Sequence, residues 1–254
     1  MADIFITKAS GEKVPFNENK VLGSIKRAGI SPELFDQVLS HVKSILYDGI
    51  TTREIHDHIV EFLGPRGLKY SLKKAIMELG PSGYPFEKFI AEILCHQGYE
   101  TITGQIVKGR CVSHEIDVIA QKDKEKIMIE CKFHNLPGTR VDVKVALYVK
   151  GRFEDVQGEF TQGWLITNTK FTTDAIDYAK CSGLKLIGWG YPETDNLQYW
   201  VENSNLYPVT ILTTLSPNQK QQLLSQNIVL CKDLAAQKNL PDNVRQELLL
   251  LCPH

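Results

Sequence analysis

Hydrophobic residues follow two different periods along this chain of 254 residues. Two short apolar runs, 116–120 and 127–133, flank a charged stretch at 121–126, a pattern typical of a β-hairpin. In the first third of the chain the apolar positions instead recur with helical spacing. They include Leu34, Val38, Leu39, Val42, Ile45 and Leu46. After residue 100, strands alternate with helices, which predicts a mixed sheet with helices on both faces.

The pattern divides the chain into segments 1–80, 84–190 and 191–254. The first predicts a short β-hairpin and a compact helical bundle, with helices at 31–46, 53–63 and 68–79. Two prolines and two glycines between 80 and 85 form a short connector. In the last segment, 193–207 reads as a polar loop, followed by helices at 216–225, 231–237 and 241–251. The expected fold class is α+β and multidomain.

The predicted hairpin carries three side chains that could bind metal or take part in catalysis. Glu130 and Lys132 share one face of their strand, and Asp117 of the neighbouring strand is close enough to meet them. Carboxylates and an ammonium are costly to bury unless they are paired or bound to metal. Hard oxygen ligands suit Mg²⁺, so the trio fits a metal-dependent phosphodiesterase site. A surface cluster of salt bridges fits the same residues, and by themselves they leave both readings open.

Five ordered pieces resemble the Mrr-like branch of the PD-(D/E)xK restriction-endonuclease family. The pieces are the helix at 83–94, Gly98-Tyr99, Ile116-Asp117-Val118, Ile129-Glu130-Cys131-Lys132, and the run from Trp164-Leu165-Ile166-Thr167-Asn168 through 175–180 to 183–189. The resemblance implies an α/β sandwich with catalytic residues Asp117, Glu130 and Lys132. Glu87 of the preceding helix would assist, and Asp117, Glu130 and Glu87 would hold Mg²⁺ or Mn²⁺.

Further polar residues surround this predicted site. The helix from 142 to 153 carries Lys144, Lys150 and Arg152, which predicts a phosphate-tracking groove for nucleic acid; an ordinary solvated basic face is the alternative. Glu115 shares the face of Asp117 and is a candidate extra ligand. His134, just past the strand, is a candidate proton-transfer group.

Residues 3–79 resemble the ATP-cone, a nucleotide-binding regulatory domain found at the front of ribonucleotide reductases. The matching pieces are Ile6-Thr7-Lys8, Gly11, Phe16, Lys20, the run Tyr47-Asp48-Gly49-Ile50-Thr51-Thr52-Arg53-Glu54-Ile55-His56, and Tyr70-Ser71-Leu72-Lys73-Lys74-Ala75. The resemblance implies ATP or dATP as ligand. Lys8, Lys20 and either Lys73 or Lys74, with Lys74 preferred, would contact phosphates, and Thr52 and His56 would line the base and ribose.

One position departs from the cone pattern. The family usually has Arg after the first lysine, and here Ala9 follows Lys8. Loss of a guanidinium removes a bidentate phosphate contact, so nucleotide binding is expected to be weaker, selective for another nucleotide, or lost. A cone fold kept only for dimerisation or docking is the alternative.

Composition changes this picture little. A formal net charge of −1 argues against a protein that coats nucleic acid by charge alone, while leaving room for a local basic groove. Six cysteines without a CxxC pair, and the lack of a long apolar run, indicate a cytoplasmic protein without a membrane span. A homo-oligomer is expected.

Together these features predict a metal-dependent endonuclease that hydrolyses phosphodiester bonds of nucleic acid, with DNA as the expected substrate. ATP or dATP would regulate it, and its expected role is restriction of foreign DNA. The alternative is a nucleotide-sensing DNA-binding or repair accessory protein. The tail loosely resembles helix-hairpin-helix units, although Ser225-Gln226-Asn227 replaces the hairpin glycine, and a packing or oligomerisation role fits it better.

Overall fold

The computed structural model describes residues 4–28 and 30–251. Its N-terminal part contains a two-stranded antiparallel hairpin and a helical bundle, as predicted. The thirteen residues from Thr51 to Leu63 show why: the side chain of Thr51 and that of Glu54 cap each other's backbone N–H groups and start a helix there. The elements are β1 Phe5–Thr7, β2 Lys13–Pro15, α1 Glu18–Arg27, a 3₁₀ turn Pro32–Leu34, α2 Phe35–Ile45, α3 Thr52–Leu63, a 3₁₀ segment Gly64–Ser71 and α4 Leu72–Met77.

The predicted helix 68–79 is only half right. The chain from Gly64 to Ser71 winds as a 3₁₀ helix, and α4 begins at Leu72. Gly64, at φ +52°, ends α3, and a Cβ at Gly67 would lie 2.7 Å from Cβ of Leu63. The segment therefore folds back tightly on the end of α3, and the α-helical winding resumes only beyond that contact.

The central part is a mixed five-stranded sheet in the order β3-β4-β5-β7-β9. The first three strands are antiparallel, whereas β5, β7 and β9 are parallel. A second, two-stranded parallel sheet joins β6 to β8. The elements are α5 Tyr84–His96, β3 Glu100–Lys108, β4 Ser113–Lys122, β5 Glu125–Lys132, β6 Arg140–Val141, α6 Val143–Val156, β7 Gln162–Thr167, β8 Lys170–Phe171, α7 Thr173–Ser182 and β9 Lys185–Ile187.

The C-terminal part is helical, and one prediction there is wrong. The stretch 193–207, expected as a loop, contains α8, which Asn196 caps by accepting from the Tyr199 N–H at 2.9 Å. Leu197, Trp200 and Val201 are buried on one face, which the polar residues between them obscured. The elements are α8 Leu197–Ser204, a 3₁₀ turn Val209–Ile211, α9 Pro217–Ser225, α10 Cys231–Ala235 and α11 Asp242–Leu251.

Three hydrophobic clusters hold these parts together. One lies inside the N-terminal bundle, and a second lies between the sheet and helices α6 and α7. The third covers the opposite face of the sheet and includes residues of α4, α5, α8 and the tail. A buried hydrogen bond from Thr210 Oγ1 to the Ala75 carbonyl, at 2.6 Å, joins the tail to α4. The sheet, α4 and the C-terminal helices therefore form one packed body.

In the described ranges no helix is both long and apolar enough to cross a bilayer.

Candidate active site at the edge of the mixed sheet

The candidate site forms where β4 and β5 separate. Their pairing ends at Val118 opposite Ile129, so Asp117 and Glu130 are the next residues along. At that point Oδ2 of Asp117 accepts from the backbone N–H of Cys131 at 2.7 Å. A side chain has replaced the backbone ladder, which fixes the Asp117 carboxylate beside Glu130 at the strand end.

Glu87 approaches the same point from α5. It lies in the first turn of that helix, where the helix dipole favours a carboxylate. Even so, burial raises the pKa of Glu87 to about 7, with further contributions from the charges of Asp117, Glu115 and Glu130. Four carboxylates from three elements are thus close enough to repel one another.

Glu130 and Asp117 feel the same environment. Burial, and then the charge of Asp117, raise the pKa of Glu130 to about 7. Burial also raises the pKa of Asp117, while the Cys131 N–H, Arg152 and Lys132 act in the opposite direction. An excess of buried negative charge is costly unless a cation offsets it.

Arg152 is such a cation, and its position differs from the predicted one. It was expected in an exposed nucleic-acid groove, but it is 8% exposed and donates to the Glu130 carboxylate and to the Glu115 carbonyl. Its place on the buried face of α6 follows from its spacing, three residues after Val149 and four before Val156. That helical spacing is the signal that could have identified it.

Among the described residues, the other basic candidates form no ion pair with these carboxylates. Lys132 ends β5 with an exposed side chain, and its charge acts on Asp117 and Glu130. Lys144 is exposed in the first turn of α6. Lys150 is half-buried and lies 3.7 Å from Glu154. Of the three predicted nucleic-acid contacts, Lys144 is therefore the one at an exposed position.

The donor set fits a hard divalent cation in its chemistry. Within the part of the chain that the structure describes, no three His, Cys, Asp or Glu side chains are arranged as a metal-binding group. Glu87, Asp117 and Glu130 nevertheless supply carboxylate oxygens, the ligands that Mg²⁺ and Mn²⁺ prefer. A dication would relieve their mutual repulsion, and Glu130 would then share its charge with the metal as well as with Arg152.

A buried asparagine holds the chain just beyond Lys132. The sequence pattern did not predict this role. Asn168 is fully buried; its Oδ1 accepts from the His134 N–H at 2.9 Å and its Nδ2 donates to the His134 carbonyl at 2.7 Å. The same Nδ2 lies 3.2 Å from Sδ of Met77 in α4. The imidazole of His134, the candidate proton-transfer group, has a buried Nε2 without a hydrogen-bond partner among the described atoms, and burial lowers its pKa.

The segment from 133 to 139, called the 133–139 loop below, also touches the N-terminal unit. Phe133 packs on the connector: a Cβ at Gly80 would come within 2.8 Å of its ring. Further along, the position of a Cβ on Gly138 lies 3.8 Å from the backbone of Ala9. This loop therefore lies between the candidate active site and the β1–β2 turn that follows Lys8.

The nucleotide-site candidates gather around the start of α3. A parallel bridge between Thr7 and Thr51 sets Lys8 beside Thr52. Lys8 pairs with Glu12 at 2.8 Å, and Lys8, followed by the more distant Lys20, lowers the pKa of that carboxyl.

A second group lies further along α3. The His56 ring stacks on Tyr70, with 5.0 Å between ring centres, and its Nδ1 is 3.3 Å from Asp57. Lys74 of α4 pairs with the same Asp57 at 2.9 Å. The structure thus brings the five candidates into two adjacent groups, each centred on an acidic residue that the sequence reading had not singled out.

Fold and site together define a restriction-endonuclease-like domain joined to an ATP cone. Three family models match the chain in order: ATP cone domain at 4–78, restriction endonuclease at 80–189, and AF1548-like, C-terminal at 207–245. Both resemblances inferred from the residues are confirmed.

Relatives place the chain more narrowly. It is similar to an uncharacterized protein of Archaeoglobus fulgidus, with 45% identity over 148 residues that cover 58% of this chain and 84% of that protein, and it belongs to that protein's family. The crystal structure of AF1548, a protein of unknown function, matches with 38% identity and a TM-score of 0.58 over 67% of this chain and 96% of that one. A repair endonuclease from Pyrococcus abyssi is a much weaker match, with 18% identity and a TM-score of 0.34 over 42% of this chain and 46% of that one.

Proposed function

We propose that this protein is a metal-dependent endonuclease that hydrolyses phosphodiester bonds of nucleic acid, with DNA as the expected substrate, in the cytoplasm. The observation that carries the proposal is the meeting of Asp117, Glu130, Lys132 and Glu87 at one edge of a restriction-endonuclease-like sheet. Three carboxylates beside one exposed ammonium are the groups that a phosphodiesterase needs.

Each residue has a role that follows from its position. Asp117, Glu130 and Glu87 would hold Mg²⁺ or Mn²⁺, which when bound supplies a Lewis acid for the phosphoryl oxygens. Lys132 is exposed at the strand end, where its ammonium can donate to the attacking water and to a phosphate oxygen. Asp117 is held rigidly by the Cys131 N–H, which fixes one donor before a ligand arrives.

We also propose that ATP or dATP regulates this activity through the ATP cone. Lys8, Lys20 and Lys74 would contact the phosphates, and Thr52 and His56 would line the base and ribose. In the structure Lys8 is paired with Glu12, and Lys74 with Asp57. A bound polyphosphate would replace these carboxylates as the partner of each lysine, at exposed positions where such pairs are weak.

The 133–139 loop provides a physical route for such regulation. It begins one residue after Lys132, and Gly138 near its end lies against Ala9, the residue after Lys8. A shift of the β1–β2 turn on nucleotide binding would therefore press on the chain that positions Lys132. Restriction of foreign DNA is the biological role we propose for a nuclease controlled in this way.

A second function is favoured by one specific contact. The Glu130 carboxylate is engaged by Arg152, which reduces its availability to a metal. A nucleotide-sensing DNA-binding or repair accessory protein, with a nuclease fold that recognises DNA ends or junctions, would retain this contact permanently.

Cleavage of supercoiled plasmid decides between the two. The assay contains Mg²⁺ or Mn²⁺, with and without ATP and dATP, for wild type, Lys132→Ala and the control Lys124→Ala in the β4–β5 turn at the far end of the sheet. We expect nicking or linearisation that Lys132→Ala reduces by about 10²–10³-fold and Lys124→Ala leaves intact.

Each other result has a definite meaning. Cleavage at the same rate with and without ATP or dATP would contradict a regulatory role of the cone but support the nuclease activity. No cleavage of plasmid, single-stranded, branched or RNA substrates, combined with retained DNA binding, would favour the accessory protein.

A further inference from the structure

Two cationic side chains lie side by side on the small second sheet. Arg140 of β6 and Lys170 of β8 are partners in a parallel register, so their side chains point to the same face. Both are exposed, whereas the next pair, Val141 and Phe171, is buried. The exposed face of this sheet therefore presents two adjacent positive charges.

A third cation reaches the same place from α4. The Lys73 ammonium lies 5.9 Å from the centre of the Trp189 ring. The backbone N–H of Trp189 donates to the carbonyl of Thr169, the neighbour of Lys170. Lys73 is exposed, yet partial desolvation by its surroundings, and then the charge of Lys170, lower its pKa. Lys73 thus turns away from Lys74, which pairs with Asp57 in the cone.

Within the part of the chain that the structure describes, these three cations lack acidic partners. Across the described ranges none of Lys73, Arg140 and Lys170 has an ion pair, although the nearby Lys74 and Lys220 do. Like charges held together raise the free energy of the surface, and an anion bound there would lower it. The cluster is therefore suited to a negatively charged ligand.

The cluster is close to the candidate active site. Lys132 is paired with Thr167 at the ends of β5 and β7, and Lys170 follows Thr167 by three residues. Three residues span at most ~10 Å. With ~5 Å between the paired strands, Lys170 is at most ~15 Å from Lys132, or about four nucleotides along one strand at 3.4 Å per nucleotide.

We propose that Lys73, Arg140 and Lys170 bind the phosphodiester backbone of the nucleic-acid substrate a few nucleotides from the bond that is cut. This inference rests on the proposed nuclease function and adds a substrate surface to it. A free nucleotide fits the cluster less well, because Trp189 is only 9% exposed beneath Lys73 and offers no free ring for a base.

The proposal gives the cone a second task. Lys73 and Lys74 are neighbours on α4 within the ATP cone match, yet one faces the substrate cluster and the other faces the nucleotide candidates. The cone would then form part of the substrate surface, and α4 would contact both ligands.

Salt-dependent binding tests the assignment. The probe is a fluorescein-labelled 30-bp DNA duplex in EDTA, so that nothing is cleaved, followed by anisotropy between 50 and 300 mM KCl. The variant Lys73→Gln/Arg140→Gln/Lys170→Gln is compared with Lys124→Gln/Lys180→Gln/Lys238→Gln, which removes the same charge at exposed lysines elsewhere.

We expect the cluster variant to bind about tenfold more weakly or worse at 150 mM KCl. Its slope of log K against log[KCl] should be shallower by about two to three, and that of the control variant by less than one. Calorimetry should show ATP binding unchanged in both variants.

The possible failures are distinguishable. Equal slopes for the two triple variants, with wild type binding DNA, would overturn the cluster assignment and leave the proposed nuclease intact. If the cluster variant loses ATP binding while its slope of log K against log[KCl] for DNA is unchanged, the assignment is also overturned. The cluster would then be a binding site for free nucleotide. Wild type that binds neither duplex, single strand nor RNA would remove the proposed function along with the cluster.

Discussion

The two halves of the molecule contain ion pairs that differ in their exposure. In the cone, Lys74 and Asp57 are each 46% exposed, and water competes with their contact. At the sheet edge, the side chains of Arg152 and Glu130 are 9% and 17% exposed. Surface pairs contribute about 0–1 kcal/mol, whereas removing one partner of a buried pair costs about 3–5 kcal/mol. The cone is thus arranged to exchange partners, and the sheet edge to keep them.

The largest expected effect breaks the buried pair. Arg152→Met leaves Glu130 with an uncompensated charge, so the free energy of unfolding should fall by about 3–5 kcal/mol in urea titrations at pH 8 in EDTA. Arg152→Met/Glu130→Gln should recover most of this loss, because no buried charge remains. Equal losses in the single and double variants would show that Arg152 stabilises through packing alone.

A smaller effect depends on pH. Glu87 and Glu130 have pKa values of about 7 when folded, above their ordinary value of 4.5. The folded protein therefore holds protons that the unfolded chain releases, and stability is lost as pH rises from about 4.5 through 7. Between pH 6 and 8 each carboxyl should cost about 1 kcal/mol, with a corresponding fall in Tm of the metal-free protein.

A substitution isolates the source of that slope. Glu87→Gln should raise the Tm at pH 8 and flatten the dependence on pH, while Glu100→Gln, at an exposed position in β3, should change neither. A slope that persists in Glu87→Gln and in Glu130→Gln would assign the titration to other groups.

In the cone the expected effect is on ligand affinity. Lys74→Gln removes one charged contact to the phosphates and should weaken ATP binding about tenfold in calorimetry, or 1.4 kcal/mol. Lys73→Gln is the matched control, because that side chain faces Trp189. Equal weakening by both variants would contradict the division of α4 into two faces.

The smallest effect is on an ordinary surface pair. Lys43 and Glu18 join α2 to α1 at 2.9 Å with side chains about half exposed. Lys43→Gln should change the free energy of unfolding by less than about 1 kcal/mol. A loss as large as that of Arg152→Met would remove the contrast between exposed and buried pairs.

The sequence predicted what depends on local pattern. The turn between β4 and β5, the helix α5 and the position of Asp117 next to Glu130 all follow from period and parity. The pairing of Arg152 with Glu130 could not be predicted in this way, because it joins a helix to a strand 22 residues away. Only the burial of Arg152 could have been predicted, from its helical spacing to Val149 and Val156.

Two other misses have the same cause. The helix α8 was not predicted because polar residues interrupt its three buried hydrophobic residues, and the packing that stabilises it comes from the sheet face. The clamp formed by Asn168 joins segments that are 34 and 91 residues apart. A single sequence carries no local signal for contacts of that separation.

The Asn168 clamp also affects how the chain beyond Lys132 can move. The Asn168 side chain is hydrogen-bonded to both the N–H and the carbonyl of His134. Movement of His134 away from Asn168 therefore breaks both hydrogen bonds. We expect opening to break both bonds together. The amide proton of His134 reports that event directly, and its rate of exchange with solvent measures how often the 133–139 loop is released.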